Sequence, residues 1–205
     1  MLTIHADSKG RAFAVKGAWV ADAGALEDLV AAHPRARVRK WPGLLTPGLV
    51  NMHGTELLEE AYHPDPREAD ELGTEPLTGD ALAALVATGA LTDARWGASA
   101  RRGVQRMLAH GTVVAACEEV RNRAVRDAVH RSGLGVMGRL GRPGGVAALD
   151  PYASGWPVEF APDLERGYAA RFAVFDVRDE AELAERGAGV CVATVVGGRL
   201  VYRRR

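Results

Sequence analysis

The sequence predicts an α/β fold that contains a parallel sheet of about three strands. Between residues 49 and 140, short apolar runs alternate with stretches of helical periodicity in the order strand, helix, strand, helix, strand. Units of this length connect parallel strands through right-handed crossovers. Short strands with few helices between them occupy both ends of the chain. We therefore expect a parallel β/α region flanked by strand-rich terminal segments.

Composition is typical of a globular domain with no general attraction for polyanions. Of the 205 residues, 47% are hydrophobic, which is enough for a sizeable core. Lys and Arg total 26, as do Asp and Glu, so we expect no binding to nucleic acid. No apolar run approaches the ~18 residues of a bilayer span, which predicts no membrane insertion. The lack of a signal-peptide pattern predicts a cytoplasmic location.

The first forty residues are predicted to form short strands with one helix among them. Gly17 provides a turn between two strands, and Pro34 ends the helix. The strand segments read LTIHA, RAFAVKGAWVAD and ARVRKW, and the helix reads GALEDLVAAHP.

The parallel region is predicted to begin with TPGLVNMH as one buried strand, introduced by Pro47-Gly48. A long amphipathic helix should start at Thr92 or Asp93 and end at Gly111. His110 closes this helix, where a protonated imidazole would interact favourably with the helix dipole, so we predict a capping role. The later strands read TVVAACEEV and LGVMGRL, and the helix between them reads NRAVRDAVHRSG. Their cysteine, Cys117, is expected to act as a small hydrophobe, as is Cys191.

Charge is distributed unevenly in the middle of the chain. Glu56 to Asp80 holds nine acidic residues against a single Arg67, and three prolines interrupt it. We predict a surface excursion with one or two helical turns. Arg95 to Arg142 holds ten arginines against three acidic residues. The two segments should lie against each other as a charged lid on a basic helical face. The alternative is an arginine face that binds an anionic small molecule or a partner.

The last third of the chain begins with an irregular segment, Gly141 to Ala169, that is rich in Gly and Pro. Its aromatic residues predict that it covers an open edge of the parallel sheet, where unpaired backbone groups would otherwise be exposed. A second copy of the chain could cover the other edge, so we expect a homodimer. Strands RFAVFDV, GVCVATVV and RLVYRR follow, the last two joined by a hairpin turn at Gly197-Gly198.

Four segments together resemble the amidohydrolase superfamily, nearest to its imidazolonepropionase-like and cytosine-deaminase-like members. They read LLTPGLVNMH, GVQRMLAHGTVVA, LERGYAARFAVFDV and VCVATVVGGRLVYRR. The resemblance implies that residues 1–44 and 170–205 form a composite β-sandwich. It also implies that residues 45–169 form a truncated (β/α) barrel remnant, because a complete barrel takes about 250 residues.

The sequence departs from the family at the motif that binds metal. The family's first barrel strand ends in His-x-His, whereas this chain has His53, Gly54 and Thr55. Of the two motif histidines only His53 is present. The family segments that supply the remaining metal ligands have no counterpart in this chain. A hydrolytic metal site needs at least three protein ligands and a base. The leading hypothesis is therefore a degenerate relative that needs no cofactor, lacks hydrolytic activity and binds a small molecule or a partner enzyme.

Four residues are predicted to line a ligand site at the strand ends, which is where parallel sheets bind ligands. They are His53, Glu56, Glu118 and Arg139, and of these His53 and Glu118 are the candidate catalytic residues. Glu118 and Glu119 follow one another, so strand alternation should direct only one of them inward. The plain alternative for His53 is a hydrogen-bonded histidine on the sheet rim.

The competing hypothesis is a metal-dependent hydrolase or deaminase acting on non-peptide C–N bonds. Such an enzyme would use a rebuilt site in which His53, His63 and Glu118 hold one divalent metal, zinc or iron, beside Glu56. His63 lies in the acidic excursion, where its plain interpretation is a solvent-facing loop histidine.

Overall fold

The computed structural model describes residues 1–204 and has an α/β fold built on three four-stranded sheets, which confirms the predicted fold class. The N-terminal sheet has the strand order β3-β2-β1-β4. Strands β1 and β4 are parallel and the other pairs are antiparallel. The elements are β1 (Leu2–Ala6), β2 (Arg11–Lys16), β3 (Trp19–Ala25), α1 (Leu26–Ala32) and β4 (Arg37–Lys40).

The prediction of one strand over TPGLVNMH is wrong, because Gly48 divides it into β5 (Leu44–Pro47) and β6 (Leu49–Asn51). At Gly48 a Cβ would lie 2.3 Å from Val113 Cγ1, so only glycine allows the backbone to approach that closely. The division sends β5 and β6 into two different sheets. Sequence periodicity does not reveal it, since both halves are buried.

The acidic excursion lies only partly on the surface. It contains α2 (Gly54–Leu58), a single 3-10 turn at Pro66–Glu68 and α3 (Ala69–Leu72), and α4 (Gly79–Ala87) follows it. Leu57, Leu58 and Tyr62 are nevertheless buried in the core. The expected contact with the basic helix is confirmed by ion pairs of Arg95 with Glu68 at 2.5 Å and of Arg102 with Asp65 at 3.2 Å.

Three of the four strands of the second sheet are parallel, as predicted. The order is β8-β7-β6-β9, and β6, β7 and β8 are parallel. Helix α5 begins after Thr92, whose hydroxyl accepts from the Arg95 N–H, and ends at His110, whose Nδ1–H donates to the Arg106 carbonyl. The elements are α5 (Asp93–Ala109), β7 (Thr112–Cys117), α6 (Arg123–Ser132), β8 (Gly135–Gly138) and β9 (Glu159–Phe160).

Strand β9 pairs antiparallel with β6, so the irregular segment covers one edge of the parallel sheet as expected. The opposite edge strand is β8, which pairs on one side with β7. Its residues Val136 and Met137 are exposed.

The C-terminal sheet has the order β12-β11-β10-β5 and is antiparallel throughout. Its hairpin turns at Gly197-Gly198, and both glycines have positive φ, 56° and 71°. Two positive φ values are what the predicted two-residue turn requires. The elements are β10 (Phe172–Phe175), α7 (Glu180–Arg186), β11 (Cys191–Val196) and β12 (Arg199–Arg203).

The N-terminal and C-terminal sheets pack face to face around one apolar cluster. Phe13 of β2 meets Phe172 of β10 with ring centroids 4.7 Å apart. A second cluster lies between α5, α6 and the parallel sheet, and includes Val104 and Met107. The predicted domain boundaries stay a prediction. Within residues 1–204, no helix is both long enough and apolar enough to cross a bilayer.

Candidate functional site

The predicted site residues follow the carboxyl ends of the three parallel strands. His53 and Glu56 come after β6, Glu118 comes after β7, and Arg139 comes after β8. Parallel strands present these ends along one edge of the sheet. Three of the four side chains meet there, because Arg139 Nη2 lies 2.7 Å from Glu56 Oε1 and 3.7 Å from Glu118 Oε1. His53 makes its polar contacts elsewhere.

The ion pair between Glu56 and Arg139 is almost completely removed from solvent. Their side chains are 8% and 4% exposed, respectively. Arg142 approaches the same carboxylate from outside, with Nε 3.4 Å from Glu56 Oε1, and also pairs with Glu60. The network therefore ties α2 to the loop that follows β8. The sequence analysis did not predict a role for Arg142. Two features indicated one: Arg142 follows Arg139 by three residues, and the segment around Glu60 is acidic.

Three polar atoms of this pair have no hydrogen-bond partner among residues 1–204. They are Glu56 Oε2, Arg139 Nε and Arg139 Nη1, and all are buried. Buried polar groups are nearly always hydrogen-bonded, because an unpaired one carries the full cost of leaving water. Water or a small polar molecule beside the pair would satisfy them. A bound molecule would need an acceptor for the guanidinium and a donor for the carboxylate.

His53 is buried and hydrogen-bonded on the rim of the sheet. Its backbone N–H donates to Asn51 Oδ1 at 3.0 Å, and its ring Nε2 lies 3.2 Å from the Gly144 carbonyl. Because a carbonyl oxygen only accepts, Nε2 carries the proton, and Nδ1 is the ring nitrogen that keeps a lone pair. Asn51 in turn donates to the Ala148 carbonyl at 2.9 Å. The two side chains hold the loop after β8 over the strand ends.

Thr55 stands where the resemblance would place a second histidine. Its Oγ1 accepts the Glu118 N–H at 3.0 Å, and the residue is buried. The preceding Gly54 allows this contact, since a Cβ there would lie 2.6 Å from the Ala116 carbonyl oxygen. Thr55 therefore joins the start of α2 to the end of β7. Burial raises the pKa of the neighbouring Cys117 thiol to about 11, so this thiol stays protonated.

The interpretation of His63 as a solvent-facing residue is wrong, because it is 0% exposed. Its backbone N–H donates to Ser99 Oγ at 2.8 Å, and its Nε2 lies 2.7 Å from the Leu57 carbonyl. Burial is the main cause that lowers the pKa of this imidazole. Gly103 of α5 makes room for the ring, since a Cβ there would lie 2.7 Å from His63 Nε2. His63 thus lies between α2 and α5.

The metal set of His53, His63 and Glu118 does not assemble in this arrangement. Within residues 1–204, no three His, Cys, Asp or Glu side chains lie close enough together to hold a metal ion. The Arg139 guanidinium supplies the positive charge that balances Glu56, and the protonated Nε2 of His53 is committed to Gly144. The donor set at the strand ends therefore does not fit a divalent cation.

The expectation that strand alternation separates Glu118 from Glu119 is also wrong. Strand β7 ends at Cys117, so both glutamates lie in the following loop. Both border an open cleft of about 380 Å³, together with Glu59, Glu60 and Arg121. Glu118 is half exposed, and its carboxylate is available to this cleft.

Comparison with known proteins finds likeness only at the level of structure. No protein-family model matches the sequence, and neither does any curated protein. A similar solved structure is N-isopropylammelide isopropylaminohydrolase from Burkholderia multivorans, at 20% identity and a TM-score of 0.45, covering 70% of this chain and 40% of that one. Another is A. niger ochratoxinase, at 16% identity and a TM-score of 0.43, covering 67% of this chain and 30% of that one.

A third similar structure is an adenosine deaminase from Xanthomonas campestris with bound zinc, at 15% identity and a TM-score of 0.42, covering 66% of this chain and 32% of that one. The chain thus spans less than half the length of each of these proteins. Likeness with TM-scores below 0.5 shows neither the family nor the activity of this chain, so the resemblance to the amidohydrolase superfamily stays a prediction.

Proposed function

We propose that this protein binds a small polar molecule at the strand ends and does not catalyse metal-dependent hydrolysis. One observation carries the proposal. The buried pair of Glu56 and Arg139 leaves three polar atoms without partners at the edge where parallel sheets bind ligands. A buried polar network that is only half satisfied is costly unless something completes it.

The charge arrangement argues against a metal at the same place. A divalent cation beside Glu56 would also lie near the guanidinium of Arg139, which is 2.7 Å from that carboxylate. Two unit charges 4 Å apart interact by about 4 kcal/mol at the effective dielectric near a protein surface. A divalent ion roughly doubles this repulsion. Arg139 would have to leave its pocket before a metal entered, and its nearly complete burial opposes that.

The unpaired atoms indicate the chemistry of the ligand. Arg139 offers N–H donors, and Glu56 Oε2 offers an acceptor, so a matching molecule has an acceptor next to a donor. A cyclic amide has this pattern, because its ring holds the N–H and the C=O on the same side. Glu118, at 3.7 Å from Arg139 and half exposed, would contact the part of the ligand that faces solvent.

Metal analysis separates this proposal from the alternative, a zinc or iron hydrolase or deaminase acting on non-peptide C–N bonds. Protein purified without an affinity tag should contain metal far below one equivalent. A stoichiometric divalent metal that is lost in His53→Ala would overturn the binding proposal and favour the enzyme.

Binding itself is tested by titration calorimetry with a panel of cyclic amides. Glu56→Gln should weaken binding by at least tenfold, because an amide replaces one of the two carboxylate oxygens by a donor. Glu185→Gln, an exposed change on α7, is the matched control and should bind normally. Equal affinities for all three proteins would contradict the site.

We also propose that a second copy of the chain covers β8. Within residues 1–204 this strand has a neighbour on one side only, and its Val136 and Met137 are exposed, as is the following Leu140. An edge with free backbone groups and apolar side chains favours strand addition. Light scattering after size exclusion should give twice the 21.8 kDa chain mass, and Val136→Lys should reduce it to one chain. A single-chain mass for the unchanged protein would exclude the dimer.

A further inference from the structure

A second cleft lies between the N-terminal and C-terminal sheets, apart from the strand-end site. It encloses about 100 Å³. Ordinary small-molecule pockets enclose about 300–1,000 Å³, so this cleft admits only a group of a few atoms. Side chains of β1 and β4 border one wall: Thr3, His5, Arg37 and Arg39. The hairpin of β11 and β12 forms the other wall, through Val195 and Leu200.

The strand register places these four side chains on one face of the sheet. Thr3 lies opposite Arg37, and His5 lies opposite Arg39, in the parallel pairing of β1 with β4. Alternate residues of a strand point to the same face. This face looks toward the C-terminal sheet, since His5 packs against Phe172 with ring centroids 4.9 Å apart. Facing sheets normally bury apolar side chains between them, whereas here Arg37 is exposed and Arg39 is half-buried, so the two arginines line the rim of the cleft.

The arginines carry a positive charge that the protein does not balance locally. Within residues 1–204, no carboxylate lies within ion-pair distance of Arg37, Arg39 or Arg203. Burial, followed by the nearby charges of Arg37 and Arg203, lowers the pKa of Arg39. Its guanidinium lies over the ring of Trp41, 4.7 Å from the centroid, which fixes it beside the cleft.

His5 adds a buried donor to the same wall. Trp41 Nε1–H donates to His5 Nδ1 at 3.0 Å, so Nδ1 holds the lone pair and Nε2 carries the proton. His5 is 6% exposed, and its Nε2 is not one of the fully buried atoms that lack a hydrogen-bond partner within residues 1–204. Burial, together with the charge of Arg39, lowers the pKa of His5 to about 4. The ring is therefore neutral at physiological pH, with one N–H left for a ligand.

We propose that this cleft binds a small oxyanion, namely phosphate or the terminal phosphate of a phosphomonoester. Each polar side chain that borders it can donate a hydrogen bond: two guanidinium groups, one imidazole N–H and the Thr3 hydroxyl. Guanidinium groups match the oxygens of phosphate in geometry and in charge. The bound anion would neutralise the arginine charges that β4 presents beside the hairpin of β11 and β12.

The test is titration calorimetry with inorganic phosphate and, in a second arm, with phenyl phosphate, both at constant ionic strength against a chloride blank. We expect saturable binding of phosphate and at least a tenfold loss of affinity in Arg39→Gln and in Arg37→Gln. Lys40→Gln removes one charge from the opposite face of the same strand and should bind as the unchanged protein does. Tighter binding of phenyl phosphate would identify a phosphomonoester as the ligand.

Circular dichroism checks that each variant folds. Because Arg37 is exposed, Arg37→Gln should disturb the packing less than Arg39→Gln does. Equal losses in Lys40→Gln and Arg37→Gln would show that net charge alone attracts the anion, which overturns the proposal. So would the absence of saturable binding of both probes to the unchanged protein. Neither result bears on the strand-end site, because no residue is shared between the two.

Discussion

Arg139 lies 2.7 Å from Glu56, and the two side chains are among the least exposed charged groups of the protein. They are 83 positions apart in the chain. Their contact holds the loop after β8 against α2. It lies at the strand ends, which is where the resemblance implies a metal. This pair supplies the unpaired polar atoms of the proposed ligand site and the positive charge that opposes a metal there.

Replacing Arg139 by Met should lower the free energy of unfolding by about 3 kcal/mol, because it leaves a buried carboxylate without its main partner. Arg142 remains 3.4 Å from Glu56 and compensates only in part, since it is largely exposed. The double variant Arg139→Met with Glu56→Leu should recover much of the loss. Urea unfolding of the two single variants and the double variant measures the coupling. Additive losses would mean that the pair does not interact.

Restoring the second histidine of the family motif should not create a metal site. Thr55→His places a larger side chain at a buried position and removes the acceptor for the Glu118 N–H. We expect no gain of zinc by elemental analysis and a destabilisation of at least about 1 kcal/mol. Thr55→Val, which keeps the shape and loses only the hydrogen bond, should cost about 1 kcal/mol. Uptake of one zinc by Thr55→His would contradict our description of the site.

Two glycines of α5 should respond in opposite ways to alanine. At Gly103 a Cβ would lie 2.7 Å from His63 Nε2, so Gly103→Ala should destabilise the protein by about 1–3 kcal/mol. At Gly97 the nearest atom would be 3.4 Å away, which is an ordinary contact. Gly97→Ala should therefore stabilise the helix by up to about 1 kcal/mol. Thermal unfolding of the two variants makes the comparison, and similar shifts would refute the packing of His63 against α5.

Stability should fall as the solution is acidified below neutrality, because two histidines are held in the neutral form. The pKa of His5 is lowered to about 4 in the folded protein, mainly by burial, and that of His63 is lowered as well. The unfolded chain therefore takes up protons at a higher pH than the folded protein does, and the free energy of unfolding falls with pH. His5 alone should account for about 2 kcal/mol between pH 7 and pH 5.

Urea unfolding across this range measures the effect. His5→Asn keeps an acceptor for Trp41 and cannot titrate, so its stability should depend less on pH. His130→Asn, at an exposed position of α6, should leave the pH dependence unchanged. Identical curves for His5→Asn and the unchanged protein would show that His5 does not contribute.

Both cysteines should resist modification in the folded protein. Cys117 and Cys191 are buried and unpaired, and burial raises the pKa of each thiol to about 11. Thiolate is the reactive form, and little of it exists at neutral pH. A colorimetric thiol reagent should label neither cysteine in buffer and both in denaturant. Rapid labelling of one equivalent in buffer would show that a cysteine is accessible.

Local sequence patterns by themselves determined much of the architecture. Alternation of apolar runs with helical stretches predicted the three parallel strands, and Thr92 and His110 marked the two ends of α5. Gly197-Gly198 predicted the hairpin turn. The opposite charges of two segments predicted that the segments would lie against each other, and the structure adds the specific pair of Glu68 with Arg95. Each of these features follows from interactions within a few residues or from the net charge of a segment.

The tertiary structure alone decided the features that depend on contact between distant residues. Gly48 divides a continuous apolar run because Val113 lies against it, and His63 is buried because α5 passes over it. The pairing of Glu56 with Arg139 and the inward position of Arg39 depend on how strands come together in register. Burial and pairing are properties of the packed chain, so hydrophobic periodicity and residue type do not encode them locally.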